Sequence, residues 1–141
     1  MRWHERKDTT LKLCILIAAA AMLLGIHGPV AAAEFPYDQD LLLDVRPLPG
    51  SKRVPILEIG PDGRAQVDLW CRSGRAQVTI SGEAITFTLG PLREEGCTPE
   101  RTARDEEMIA VLSQVTQWRL EEDDFVLVGG PIELRFRLST H

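Results

Sequence analysis

Past residue 33 the chain has one histidine, His141, one lysine, Lys52, and two cysteines, Cys71 and Cys97, which lack Cys-x-x-Cys spacing. Each scarcity excludes something. With no internal histidine, a general base would have to be an Asp or Glu, and no pair stands out among the nineteen acids of residues 34–141. Without clustered histidines or closely spaced cysteines, the common zinc geometries and thioredoxin-type redox chemistry lack their ligands. The apolar run from Leu13 to Ile26 counts 14 residues, short of the about 20 that a hydrocarbon core of about 30 Å demands. Four adjacent acids, Glu121-Glu122-Asp123-Asp124, lack the alternation and glycine bend of a calcium loop and read as a solvated hairpin tip. Ser139, Thr140 and His141 are the types used in nucleophilic catalysis, but as chain neighbours they cannot hold nucleophile, base and orienter in register. No catalytic residue, cofactor or metal site is therefore expected.

What is present begins with an export pattern. Arg2, Arg6, Lys7 and Lys12 precede the apolar run, Pro29 follows it, and Ala31-Ala32-Ala33 presents small residues before Glu34. This predicts a secretory signal over residues 1–33, cleaved between Ala33 and Glu34 rather than kept as an anchor, and one domain over residues 34–141. Cys14 opens the apolar run instead of closing it, so a lipoprotein is not expected. The expected location is periplasmic or secreted, with membrane contact only transiently through the signal. Removing the +2 of the first 33 residues from the chain's −5 leaves −7 on residues 34–141. That charge, with basic groups scattered along the chain, excludes nucleic acid as an expected partner. In an oxidising compartment Cys71 and Cys97 are expected to form a disulfide, ahead of two free thiols or a redox or metal pair.

From Glu34 onward the hydrophobic period is mostly two. Leu41 to Val45 reads as a buried first strand, and Ile56 to Ile59 leads through Gly60-Pro61-Asp62-Gly63 to a return strand ending at Trp70. Arg72-Ser73-Gly74 reads as a turn, and Ser81-Gly82-Glu83 as another, between alternating Val78, Ile80 and Ile85, Phe87, Leu89. Gly63-Arg64-Ala65-Gln66-Val67 echoes in Gly74-Arg75-Ala76-Gln77-Val78, too briefly for a repeat architecture. Thr102 to Asp105 has capping-box form, which starts a helix whose Met108, Ile109, Leu112 and Val115 share one stripe. Trp118 to Leu120, Phe125 to Val128 and Ile132 to Leu138 complete the strands. The expected class is α+β: a curved antiparallel sheet or small barrel of about seven strands with one amphipathic helix. Arg119, Arg135 and Arg137 on the outer sheet face form the expected contact surface, either as an anion site or paired with neighbouring acids. Trp70 and Trp118 belong to that surface if exposed and to the core if buried.

The order of these parts resembles the META domain, the family that includes the bacterial heat-shock HslJ-type envelope proteins. The resemblance covers roughly Ile56 to Phe136. It is carried by the Pro61-Asp62-Gly63-Arg64 turn, the strand into Cys71, Phe87-Thr88-Leu89, Cys97-Thr98-Pro99-Glu100 before the helix, Glu107 to Val115, Asp124 to Leu127, and Leu134-Arg135-Phe136. The chain departs from the family around both cysteines, at Leu69-Trp70-Cys71-Arg72 and Arg93-Glu94-Glu95-Gly96-Cys97. The resemblance implies a barrel-like α+β domain of the envelope, associated with stress tolerance and without an established catalytic centre. The expected role is that of an exported, monomeric, non-enzymatic domain binding a protein or envelope component. A small secreted enzyme inhibitor is the alternative, with a hydrolase behind it.

Overall fold

The structure is a computed structural model that describes residues 32–139 together with Gly28 and Pro29. Most of the expected signal, including its apolar run, Cys14 and Trp3, lies outside the described residues, as do Thr140 and His141. Ala33 and Glu34 are described; both are exposed and belong to no helix or strand.

Eight strands and one helix follow in chain order among the described residues: β1 (Asp40–Leu43), β2 (Ile56–Ile59), β3 (Arg64–Asp68), β4 (Arg72–Ser81), β5 (Ala84–Glu94), α1 (Pro99–Leu112), β6 (Gln117–Glu121), β7 (Asp124–Gly129) and β8 (Ile132–Ser139). Each strand pairs antiparallel with its sequence neighbour, and β8 returns to pair with β1 from Asp40↔Ser139 to Leu43↔Phe136. The result is a closed up-and-down barrel, which leaves no open sheet end. The seam between β5 and β6 is short. It holds one residue pair, Ala84↔Gln117, flanked by hydrogen bonds from Ile85 N–H to the Thr116 carbonyl (3.0 Å) and from Trp118 N–H to the Glu83 carbonyl (2.9 Å).

Period-two patterning explains the interior. Leu41, Leu57, Ile59, Val67, Ile85, Phe125, Leu127 and Phe136 are each fully buried and form one core with Ala65, Ala76, Val78 and Phe87. An eight-stranded barrel is just wide enough for such side chains to fill. Phe35 packs edge-on against Trp118 (4.9 Å between ring centroids) and Phe125 (5.4 Å). Both tryptophans are core residues. Trp118 donates Nε1–H to the Gly82 carbonyl at 2.8 Å, whereas Trp70 Nε1 is buried without a partner among the described residues, which nothing in the structure explains.

The helix differs from its sequence reading. It begins at Pro99, not at the Thr102-Asp105 box: Thr98 is the N-cap, its hydroxyl accepts from Arg101 N–H, and Pro99 supplies the preset φ of a first helical residue. Asp105 therefore sits mid-helix, three residues before Met108 and seven before Leu112, on the buried stripe itself. It is fully buried, the one charged residue that is so among the described residues. Its Oδ1 accepts from Trp70 N–H (2.8 Å), and its Oδ2 accepts from Cys71 N–H (3.1 Å) and Arg72 N–H (2.8 Å). A carboxylate left unpaired there would cost several kcal/mol, roughly; three charge-assisted hydrogen bonds offset that and satisfy three amides that no strand partner takes. This is why the turn expected at Arg72-Ser73-Gly74 lies instead at Leu69 to Cys71, with Arg72 already in β4. The bend is stabilised from a distant helix, not by local turn chemistry.

Beside this clamp Cys71 and Cys97 form a disulfide with Cα atoms 5.1 Å apart. The loop it closes is 27 residues, Cys71 to Cys97 inclusive, worth roughly 3.5 kcal/mol in the chain-entropy description. The clamp and the disulfide together fasten the start of β4, the end of β5 and α1.

On the outer face of β6, β7 and β8 the register sets Arg119 opposite Val126 and Val126 opposite Arg135. Val126 points away from the barrel core yet is fully buried. Two arginine stems flank it while their guanidinium groups are tied by acids, so apolar stems lie low and charged heads remain wet. Arg119 bonds Glu121 and Glu133, the latter at 2.7 Å; Arg135 bonds Glu121 at 2.7 Å and Asp124 at 3.2 Å. Glu121 and Asp124 are therefore strand residues within a network, and only Glu122 and Asp123 form the expected solvated tip. Hydrogen bonds from Arg119 and then Arg135 hold Glu121 below the ordinary glutamate range.

Replacing Asp105 by Ala leaves three amides of residues 70–72 unpaired and is expected to cost about 3–5 kcal/mol in urea unfolding, with Asp105→Asn costing roughly half as much. A loss below about 1 kcal/mol for Asp105→Ala would contradict the clamp. A second expectation concerns acid. Because Glu121 is depressed in the folded state, its stabilisation is present above about pH 4.3 and is lost as the pH falls through its lowered folded value. Glu121→Gln should therefore flatten the acid limb of the urea midpoint plotted against pH; an unchanged slope would show that the network carries no linkage.

Candidate functional site

A cleft of about 520 Å³ opens on the outer face of β3, β4 and β5, away from the filled interior. Its walls follow from register. Gln66 on β3 faces Arg75 on β4, and Ser73 on β4 faces Arg93 on β5, so four polar side chains share the outward face. Its floor follows from a bulge. Gly74 pairs with Leu92 but Ala76 pairs with Leu89, which leaves Gly90 and Pro91 together opposite Arg75. The strands approach so closely there that a Cβ on Gly74 would meet the Pro91 carbonyl oxygen at 2.6 Å and Leu92 Cδ2 at 2.8 Å. Only glycine fits at position 74, and Gly74 and Gly90 beside the compact Pro91 ring make the depression. A smaller hollow of about 210 Å³ adjoins it, sharing Gln66 and Arg75 and adding Asp38, Glu58 and Arg64.

The electrostatics of this face differ from those of the rest of the barrel. Of the eleven arginines in residues 34–141, three, Arg46, Arg75 and Arg93, have neither an ion pair nor a side-chain hydrogen bond among the described residues. Two of those three line the cleft. The remaining arginines are engaged: Arg72 lies 3.0 Å from Glu94, Arg104 3.2 Å from Glu107, and Arg53 and Arg64 near Asp68 and Asp62, while Arg101 donates to the Gly96 carbonyl.

The residues expected from sequence to form a contact surface lie on the outer face, as their alternation implied, but not together. Arg119 and Arg135 share one network with Glu121, Glu133 and Asp124, which raises both guanidinium groups further above their ordinary value. Arg137 stands apart from it, 3.2 Å from Asp44. Their charge is already answered within the chain. Cys71 and Cys97 meet in the disulfide, and Ser139 ends β8 half-buried. Among the described residues no group of three or more His, Cys, Asp or Glu is placed to hold a metal ion. The sequence reading missed Gln66, Ser73, Arg75 and Arg93. The signal for them was Gly90-Pro91 inside an otherwise alternating strand, a pair that marks a bulge.

The comparisons agree with this architecture. A solved NMR structure of a protein matches with a TM-score of 0.54 at 17% sequence identity, covering 77% of this chain and 95% of that one, a likeness of fold alone. No curated protein matches the chain. The model of the META domain family matches residues 43–138, from the last residue of β1 to near the end of β8. The chain is therefore a member of the META domain family.

Proposed function

We propose that this META domain works as an exported, non-catalytic component of the cell envelope, binding a protein or envelope constituent and contributing to stress tolerance. The observation that carries the reading is the Cys71–Cys97 disulfide beside the Asp105 clamp. A bond of that kind persists outside the reducing cytosol, and here it fastens a small domain at the point where β4, β5 and α1 meet. The export pattern over residues 1–33 supports the same location. A barrel packed with side chains leaves its surface for work, and the surface feature on offer is a cleft walled by arginines rather than by a pair of carboxylates. The hydrolase alternative finds no support in that lining.

One observation favours a small secreted inhibitor as a second reading. Residues 93–96 are exposed yet tethered, by Glu95 N–H to the Cys71 carbonyl (2.8 Å) and by the disulfide one residue further on. Pro91 to Glu94 are the end of β5 rather than the loop such an inhibitor would present, so only Glu95 and Gly96 extend beyond the sheet.

Deletion of the gene from its source organism should lower survival after heat or envelope stress. The full chain should restore it, and a version lacking residues 1–33 should not. Unchanged survival of the deletion strain, or rescue by the version without those residues, would overturn the proposal.

A further inference from the structure

The structure assigns a ligand chemistry to the cleft on β3, β4 and β5: we propose that Arg75 and Arg93 bind an oxyanion group, phosphate or carboxylate, carried by the ligand. This rests on the reading that the domain works by binding, and deepens it.

Three observations converge. Ser73 and Arg93 are cross-strand partners, and Arg75 lies two residues from Ser73 on the same face, so the two arginines are diagonal neighbours over one cleft. Diagonal neighbours sit roughly 7–8 Å apart, within mutual reach for side chains of this length. Among the described residues neither guanidinium group has an ion pair, in a domain whose acids outnumber its bases, nineteen to twelve over residues 34–141. Two cations brought together without an ion pair to either disfavour the folded state slightly, so folding does not explain the arrangement. Finally, the floor of Gly74, Gly90 and the compact ring of Pro91 places no long side chain in the space between the cations, leaving a concave site open to a ligand.

Guanidinium is suited to this role. Its planar fork can give two parallel N–H bonds to one oxyanion, and it stays charged at any physiological pH. Ser73 Oγ stands on the same face as a further donor, while the Gln66 amide beside it donates to Asp68 at 3.4 Å. Asp68, opposite Ser73 on the same face, is paired with Arg53 at 3.7 Å, Asp38 and Glu58 line the smaller hollow that Arg75 shares, and among the described residues none of these carboxylates forms an ion pair with Arg75 or Arg93. The domain's overall negative charge makes capture depend on these local groups, so binding should weaken as salt rises.

The test is an NMR titration of the purified, ¹⁵N-labelled protein at low ionic strength, with inorganic phosphate in one arm and glutarate in the other. Saturable amide shifts confined to residues around 66, 73–75 and 90–93 are expected with at least one anion, and the arm that produces them identifies the source. Arg75→Gln and Arg93→Gln should each weaken binding about tenfold while leaving the thermal midpoint unchanged or slightly higher. Arg46→Gln, which removes an unpaired arginine outside the cleft, should leave it intact. No saturable shift with either anion, or an equal loss in Arg46→Gln, would overturn the assignment. Those outcomes are independent of the survival experiment: a strain that needs the protein while the protein binds no oxyanion defeats this inference alone.

Discussion

A buried carboxylate on one element holds the backbone of another. Asp105 lies on the apolar stripe of α1 and takes the amides of Trp70, Cys71 and Arg72, residues 33 to 35 positions earlier in the chain. Hydrogen bonds to a charged acceptor are stronger than neutral ones, and at this buried site either partner left alone is costly. The two segments are therefore mutually dependent. The bend between β3 and β4 has the backbone path it has because a helix supplies its acceptor, and the helix has its place on the barrel because that bend supplies three donors. The disulfide sits at the centre of the same node, since Cys71 is one of the three donors and Cys97 stands just before the Thr98 cap.

From this node the functional surface is set. Fixing Arg72 fixes where β4 begins, and the register that follows brings Ser73 opposite Arg93 and leaves Gly90 and Pro91 opposite Arg75. The two outer faces of the barrel then divide. Across β6, β7 and β8, arginines and acids neutralise one another over Val126 and make a sealed, self-satisfied surface. Across β3, β4 and β5, Arg75 and Arg93 stand over a hollow without an ion pair among the described residues. The first face is explained by packing and ion pairing. The second is explained by neither.

How much of this the sequence disclosed depends on how local its cause is. Strand existence was legible because side chains on a pleat alternate, and Ile132 to Leu138 or Val67 to Leu69 can alternate for little other reason. The hairpins at Gly60 to Gly63 and Ser81 to Glu83 were legible from glycines, and both Gly63 and Gly82 indeed have positive φ. The helix start was misread because two capping patterns lie four residues apart, and Thr98-Pro99 prevails by joining an N-cap to a proline. Asp105 was read as the closing residue of a capping box, since nothing near it in the chain announces a partner 35 residues away. Its one sequence clue is that an acid occupies the stripe of Met108 and Leu112. Gly74 was read as a turn because glycine usually marks one, whereas here it permits close approach of β5. The short echo at residues 63–67 and 74–78 also gains a meaning only in the fold: Arg64↔Gln77 and Gln66↔Arg75 show that the two copies pair with each other antiparallel.

The dependence of the fold on Asp105 is tested most directly by amide hydrogen exchange at Trp70, Cys71 and Arg72 in the oxidised protein. If the carboxylate holds them, these three amides exchange as slowly as those of the buried strands, through global unfolding, although they lie in and beside a bend. In Asp105→Asn they should exchange faster by local opening while the strands stay protected. Fast exchange in the unaltered protein, or rates that Asp105→Asn leaves unchanged, would contradict the clamp.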